Sequence, residues 1–401
     1  MVKKFTYKHT AYACYMAYIV GAVINNFVPL LFVILSDTYS LTLENLAFLI
    51  FLNFATQCVV DFLGAKYVDK IGYRRTLIIA LFMAMLGLCS LGVLPSVMPA
   101  FAGLIMSVIF YAIGSGLLEV MVSPTIEALP NIKAKAAAMS LLHSFYCWGS
   151  ILVVVVSTAF FNLFGVENWR IMCFIWAILP VLTIVLFTKV PIVPFGNGEK
   201  SGSFKKIFSS GLFIVFALLM LCSGAAELAI AQWASLFAEN GLGVSKTMGD
   251  LLGPCLFAFA MAIVRTWYGK VGERVDLFAM LSVSAVVCMI GYLVASFAQN
   301  PVLSLIGCGI CGLGVAVMWP GTLSLAAKYC SFGGTAIFAY LAMAGDFGCS
   351  TGPALVATVS ERFSLFGEPL KAGILSAIIF PTVMLIGVVA LKYVVNKKKV
   401  D

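Results

Sequence analysis

Twelve stretches of this chain are each apolar over about the length that crosses a bilayer, and no other feature limits its fold as strongly. A hydrocarbon layer about 30 Å thick takes roughly 20 apolar residues in a helix. Runs of that kind lie at 9–36, 43–67, 75–96, 99–128, 135–163, 168–190, 209–238, 246–268, 276–298, 301–329, 334–360 and 370–395. In lipid the backbone N–H and C=O groups must be bonded within the segment, so each run reads as a helix, and the fold class is an all-α membrane protein with twelve transmembrane helices. Pro95 and Pro99, and Asn300 with Pro301, part the two most closely spaced pairs of runs, because proline ends one helix and starts the next. With 62% of its residues hydrophobic and 10% charged, the chain is far from the roughly one quarter charged of a soluble domain.

The formal charge of +8 is spread in short clusters between the runs, which is an orientation signal and not a nucleic-acid surface. With the N-terminus inside, 21 of the 25 Lys and Arg fall on the cytoplasmic side, Arg265 among them, and only Arg170, Lys246, Arg362 and Lys371 fall outside. That bias predicts two cytoplasmic termini, and the expected location is a plasma membrane of the bacterial cytoplasmic type. The opening Met1-Val2-Lys3-Lys4 leads into an apolar stretch longer than the roughly 7–15 residues of a signal peptide core, so the first helix is expected to stay.

One long polar interruption, 191–208, is rich in Gly, Pro, Ser and Lys. It predicts an N-terminal six-helix bundle (1–190), a cytoplasmic linker (191–208) and a C-terminal six-helix bundle (209–401). The halves echo each other at an offset near 200. Asp69-Lys70-Ile71-Gly72-Tyr73-Arg74 matches Gly269-Lys270-Val271-Gly272-Glu273-Arg274, and Gly114-Ser115-Gly116 parallels Gly312-Leu313-Gly314. Parallel repeats of this kind place a substrate site at their interface.

Charged side chains inside a span cost at least about 2.5–3.5 kcal/mol, so they mark function. Four carboxylates qualify: Asp61, Glu119, Glu227 and Asp346, and they are the proton-coupling candidates. Glu119 shares a helix face with Ser123 and Glu127; a buried carboxylate there either takes and releases a proton or is satisfied by neighbouring hydroxyls and amides. Asn53, Gln57 and Asp61 form a stripe at i, i+4, i+8 that is costly against lipid, and Asn25 and Asn26 put an amide pair in the first run. Gln232 and Trp233 follow Glu227 as an amide and an aromatic plate, a mixture that suits sugars, although Trp233 also fits an interfacial belt. His143, with Tyr146 and Trp319, completes the substrate-binding candidates; the imidazole either relays protons with Asp346 or bonds a backbone carbonyl.

The twelve cysteines are scattered in apolar runs, and Cys308 and Cys311 have no second pair to complete a metal site. No G-x-x-x-x-G-K-(S/T) loop and no paired catalytic constellation occurs in the sequence. The expectation is therefore no enzyme, no cofactor and no metal.

Gly64-Ala65-Lys66-Tyr67-Val68-Asp69-Lys70-Ile71-Gly72-Tyr73-Arg74-Arg75 resembles the signature loop between helices two and three of the major facilitator superfamily, and the 6+6 plan covers nearly the whole chain. The resemblance implies two bundles related by a pseudo-two-fold axis along the membrane normal, with alternating access between them. Gly64, Asp69, Gly72, Arg74 and Arg75 would then govern closure on the cytoplasmic side, or else simply hold the loop inside.

Within the superfamily, Gly114-x-Gly116-x-x-Glu119 with Pro124 is similar to the glycine-rich, carboxylate-bearing fourth helix of fucose permeases and related sugar:proton symporters. Trp319-Pro320-Gly321-Thr322-Leu323-Ser324-Leu325 looks like their tenth helix, while Asn25-Asn26 stand where a membrane Asp is expected. The implied function is proton-coupled transport of a small polar solute, foremost a monosaccharide, by a monomer whose partners are substrate, protons and the lipid bilayer, with no nucleic acid. Efflux of amphipathic compounds, suited by the many Phe and Met residues, and a membrane sensor on the same fold are the alternatives. Gly348-x-x-x-Gly352-Pro353 fits a close helix-packing pattern.

Overall fold

The structure, a computed structural model, describes residues 5–130, 132–193, 204–234, 237, 251–330 and 334–397. The middle of the predicted linker (194–203), Lys246, the first residues of the eighth run (246–250) and the chain ends, with Lys3, Lys4, Lys398 and Lys399, lie outside them. Among the described residues the secondary structure is helical, with one isolated bridge between Leu365 and Glu368.

Each of the twelve runs contains a helix. The first holds α1 (Tyr7–Leu30) and α2 (Phe32–Tyr39), separated at Leu31 just after Pro29. Then come α3 (Leu43–Ile71), α4 (Tyr73–Val97), α5 (Ala100–Glu127), α6 (Lys135–Phe164) and α7 (Trp169–Lys189). The short α8 (Phe204–Phe208) precedes α9 (Gly211–Ala231). A π-helical turn, Leu251–Cys255, leads into α10 (Leu256–Val271), followed by α11 (Leu277–Phe297). The tenth run is split into α12 (Pro301–Val315) and α13 (Met318–Tyr329), and α14 (Thr335–Arg362), α15 (Pro369–Ser376) and α16 (Ile379–Lys397) close the order.

Ten helical segments among the described residues are long and apolar enough to span a membrane. The other two runs hold α10, whose 16 residues are short for the purpose, and α14, which has 28 residues but many small and polar ones.

The helices form two compact units. One takes Met1–Lys133, Phe145–Ser201 and Gly333–Met343; the other takes Ala134–Ser144, Gly202–Phe332 and Ala344–Asp401. Thus α6 and α14 each change unit part-way along an unbroken helix.

Because lipid tails are as apolar as the side chains, helices in a bilayer associate by close packing, which small residues permit. In the first unit α4 and α5 meet through Gly114, where a Cβ would lie 2.7 Å from the Ala84 nitrogen, and through Gly87 against the Tyr111 backbone. The second unit repeats both contacts at offsets of 200 and 204: Gly314 lies on Cys288 of α11, and Gly291 on the Cys311 backbone of α12. The Gly348/Gly352 pattern also packs as its sequence suggests, with Gly348 on the Leu221 carbonyl and Gly352 on Ala225 of α9.

Candidate functional site

In the first unit a polar cluster joins three helices. Asn25 on α1 donates through Nδ2 to Ser115 Oγ on α5 at 2.9 Å, and its Oδ1 accepts from Asn53 Nδ2 on α3 at 3.4 Å. Two turns earlier on α1, Tyr18 shares a 2.9 Å bond with Ser123 of α5. Asn26 is held differently, by the Ala22 carbonyl at 2.8 Å and by Ser150 Oγ on α6 at 3.2 Å.

The stripe on α3 is buried: Asn53, Gln57 and Asp61 are 6%, 1% and 0% exposed. Among the described residues Gln57 Nε2 has no acceptor and Asn53 Oδ1 no donor, a costly state for a buried polar group. Asp61 Oδ1 lies 3.4 Å from where a Cβ on Gly116 would sit. Glu119, half-buried, comes three residues after Gly116, so it rises from the same side of α5. Ten residues before Asn25 on α1, Tyr15 stacks on Phe145 of α6 with ring centroids 4.4 Å apart.

The loop expected to act as a gate is built around Gly72, whose φ of +91° only glycine adopts readily; it is the single residue between α3 and α4. Gly64 lies against Val120 of α5. Arg74 donates to the carbonyls of Phe187 and of Val190, the latter at 2.8 Å, and so caps the C-terminus of α7. Asp69 and Arg75 are exposed.

The second unit holds the residue that sequence reasoning misplaced. Counting charges by loop puts Arg265 with the cytoplasmic cations, yet it lies within α10 and is 2% exposed. Its Nη2 forms a 3.1 Å salt bridge with Glu227 Oε2 on α9, the side chains being 3% and 13% exposed. Its Nε donates to the Ala316 carbonyl at 2.7 Å, and its Nη1 to the His143 carbonyl at 3.4 Å. Ser140 Oγ donates back to the Arg265 carbonyl at 2.9 Å. The sequence signal was present, since Arg265 falls within the eighth run, where the rule that singles out intramembrane carboxylates applies equally to a cation.

The remaining candidates are spread more widely. Asp346 and His143 are 3% and 5% exposed; His143 joins the Arg265 cluster through its backbone carbonyl. Tyr146 is half-buried and its carbonyl accepts from Ser150 Oγ at 3.1 Å. Gln232 is exposed at the end of α9, and Trp233 Nε1 donates to the Pro353 carbonyl at 3.3 Å. Trp319, 8% exposed, lays its ring over Gly345 of α14. Among the described residues no cluster of three metal-ligating side chains occurs.

The sequence model of the Major Facilitator Superfamily matches residues 13–353. Among curated proteins, the membrane protein MosC of Rhizobium meliloti is 24% identical over 152 residues. That alignment spans 38% of this chain and 37% of MosC. Three solved structures share the fold over 95% of the chain. FucP, a superfamily transporter in an outward conformation, superposes with a TM-score of 0.79 at 16% identity over 98% of its length. A second structure of FucP, described as the fucose:proton symporter of E. coli, gives 0.76 at 16% identity over 98% of its length. The proton:xylose symporter XylE, bound to 6-bromo-6-deoxy-D-glucose, gives 0.80 at 14% identity over 94%.

Proposed function

The chain belongs to the Major Facilitator Superfamily and is a multi-pass membrane transporter, not an enzyme, and from that premise we propose that it moves a monosaccharide or similar small polyol together with protons. One observation carries the substrate class. Asn25, Asn53, Ser115 and Gln57 converge from three helices and leave, among the described residues, a free amide donor on Gln57 and a free acceptor on Asn53. A ligand that answers both must donate and accept at closely spaced points, as the hydroxyls of a sugar do.

Asp61, which lies against Gly116, and Glu119, one turn further along α5, are the first candidates for the coupled proton, with Glu227 and Asp346 in the second unit. In this reading 1–190 and 209–401 alternate access to the site, the Gly64–Arg75 loop governs closure on the cytoplasmic face, and a monomer works in the cytoplasmic membrane with both termini inside. Both neighbours named as proton symporters of sugars, FucP and XylE, lend the reading support at the level of fold.

The test is uptake by proteoliposomes holding the purified protein. Addition of L-fucose or D-xylose outside should alkalinise the external medium, and Glu119→Gln should abolish that signal while the protein still inserts. Proton counterflow driven by a lipophilic cation instead of a sugar would favour export of amphipathic compounds.

A further inference from the structure

Pro320 has no N–H to give to the carbonyl four residues before it, and its ring pushes that carbonyl outward. The carbonyl is that of Ala316, and the run breaks there, between α12 and α13. A carbonyl released inside a bilayer needs another donor, since water is absent and an unsatisfied group costs several kcal/mol. Arg265 is that donor, through Nε at 2.7 Å. The same planar fork reaches Glu227 on α9 and the His143 carbonyl on α6, while Ser140 ties α6 back to the Arg265 carbonyl. Close contact of Gly269 with Leu141, and of Gly272 with Ala137, lays the start of α6 along α10.

We propose that Arg265 is a positioning residue of the transport cycle: it latches the Pro320 break and the start of α6 to α9, and the charge on Glu227 holds the latch shut. The carboxylate fixes one side of the guanidinium plane, and that fixes the other N–H groups at Ala316 and His143. With Glu227 neutral, the fork loses its strongest partner, and the break is free to bend. Lysine carries the same charge but is a point donor without a fork, so it pairs with Glu227 and leaves Ala316 unbonded. Only the link to proton movement rests on the proposed function; the latch itself is independent of the substrate.

Trp319 stands beside Pro320 with its ring over Gly345, so its fluorescence reports the break. Its emission is obtained as the difference between each variant and the same variant carrying Trp319→Phe, in purified, detergent-solubilised full-length protein. Arg265→Lys and Glu227→Gln are each expected to shift Trp319 emission to the red and raise its quenching by acrylamide. Adding Pro320→Ala to Arg265→Lys should restore the wild-type signal, because an alanine there regains the N–H that closes on the Ala316 carbonyl. An unchanged Trp319 signal in Arg265→Lys, or a shifted signal that Pro320→Ala leaves unrepaired, would make Arg265 a plain counterion and overturn the latch. If Arg265→Lys does not fold, Glu227→Gln decides alone: no shift there overturns control by the carboxylate. A sound latch in a protein that takes up neither L-fucose nor D-xylose would sink the substrate reading and leave this one standing.

Discussion

Arg265 and Glu227 form a 3.1 Å salt bridge between α10 and α9, both side chains almost wholly withdrawn from the surface. Two charges so placed stabilise each other only as a pair, and breaking a buried pair from one side costs about 3–5 kcal/mol. Arg265→Ala should therefore lower the melting temperature of the purified protein sharply, and Arg265→Gln with Glu227→Gln together should recover most of the loss. Thermal unfolding of the three proteins in one detergent checks this; equal damage from the single and double variants would refute it.

Gly348 faces the Leu221 carbonyl with no room for a methyl group. Backbone on the opposing side cannot move aside as a side chain does, so overpacking here should exceed the usual 1–3 kcal/mol or so of a core insertion. Gly348→Val is expected to leave little monodisperse protein on a gel-filtration column. Gly211, with open space around its Cβ position, should tolerate Ala with an unchanged profile.

Asn25 bonds both Ser115 and Asn53. Replacing it by Ala removes two hydrogen bonds at a site proposed to bind sugar hydroxyls, and each neutral bond contributes about 0.5–1.5 kcal/mol. With Ser115 and Asn53 no longer held in place, sugar affinity should fall, each 1.4 kcal/mol or so of lost binding free energy raising the Kd for L-fucose or D-xylose about tenfold, as read by titration calorimetry. Asn26, bonded to Ala22 and Ser150 instead, should show the smaller effect when changed to Ala.

Arg74 caps α7 through the carbonyls of Phe187 and Val190, a role distinct from holding a loop inside by charge alone. Arg74→Lys keeps the charge and loses the two-pronged bond. Hydrogen bonds to charged groups contribute about 1.5–3 kcal/mol, so the variant should insert in the same orientation, by cysteine labelling beside the Gly72 turn, yet melt earlier than the parent. Unchanged melting would leave only the topogenic role.

How much of this was legible beforehand differs from element to element. The eleventh run was found from its apolar length although α14 is too diluted by small and polar residues to count among the ten described segments long and apolar enough to span a membrane. The Gly348/Gly352 contact was readable because close approach between helices in lipid demands small residues at helical spacing. Asn25, Asn53 and Gln57 were readable as costly polar groups, though not their union with Ser115, a serine that carries no penalty and so no signal.

Arg265 shows where the line falls. Hydrophobic length and the expense of charge in hydrocarbon are properties of a segment by itself, so the sequence alone determined a helical membrane protein, its twelve runs and the four carboxylates that needed an explanation. Which group answers each of them is a property of distance between residues far apart in the chain. Only the tertiary structure brought Arg265 to Glu227 and to the carbonyl that Pro320 releases, because a buried charge is stable only where the fold supplies its partner.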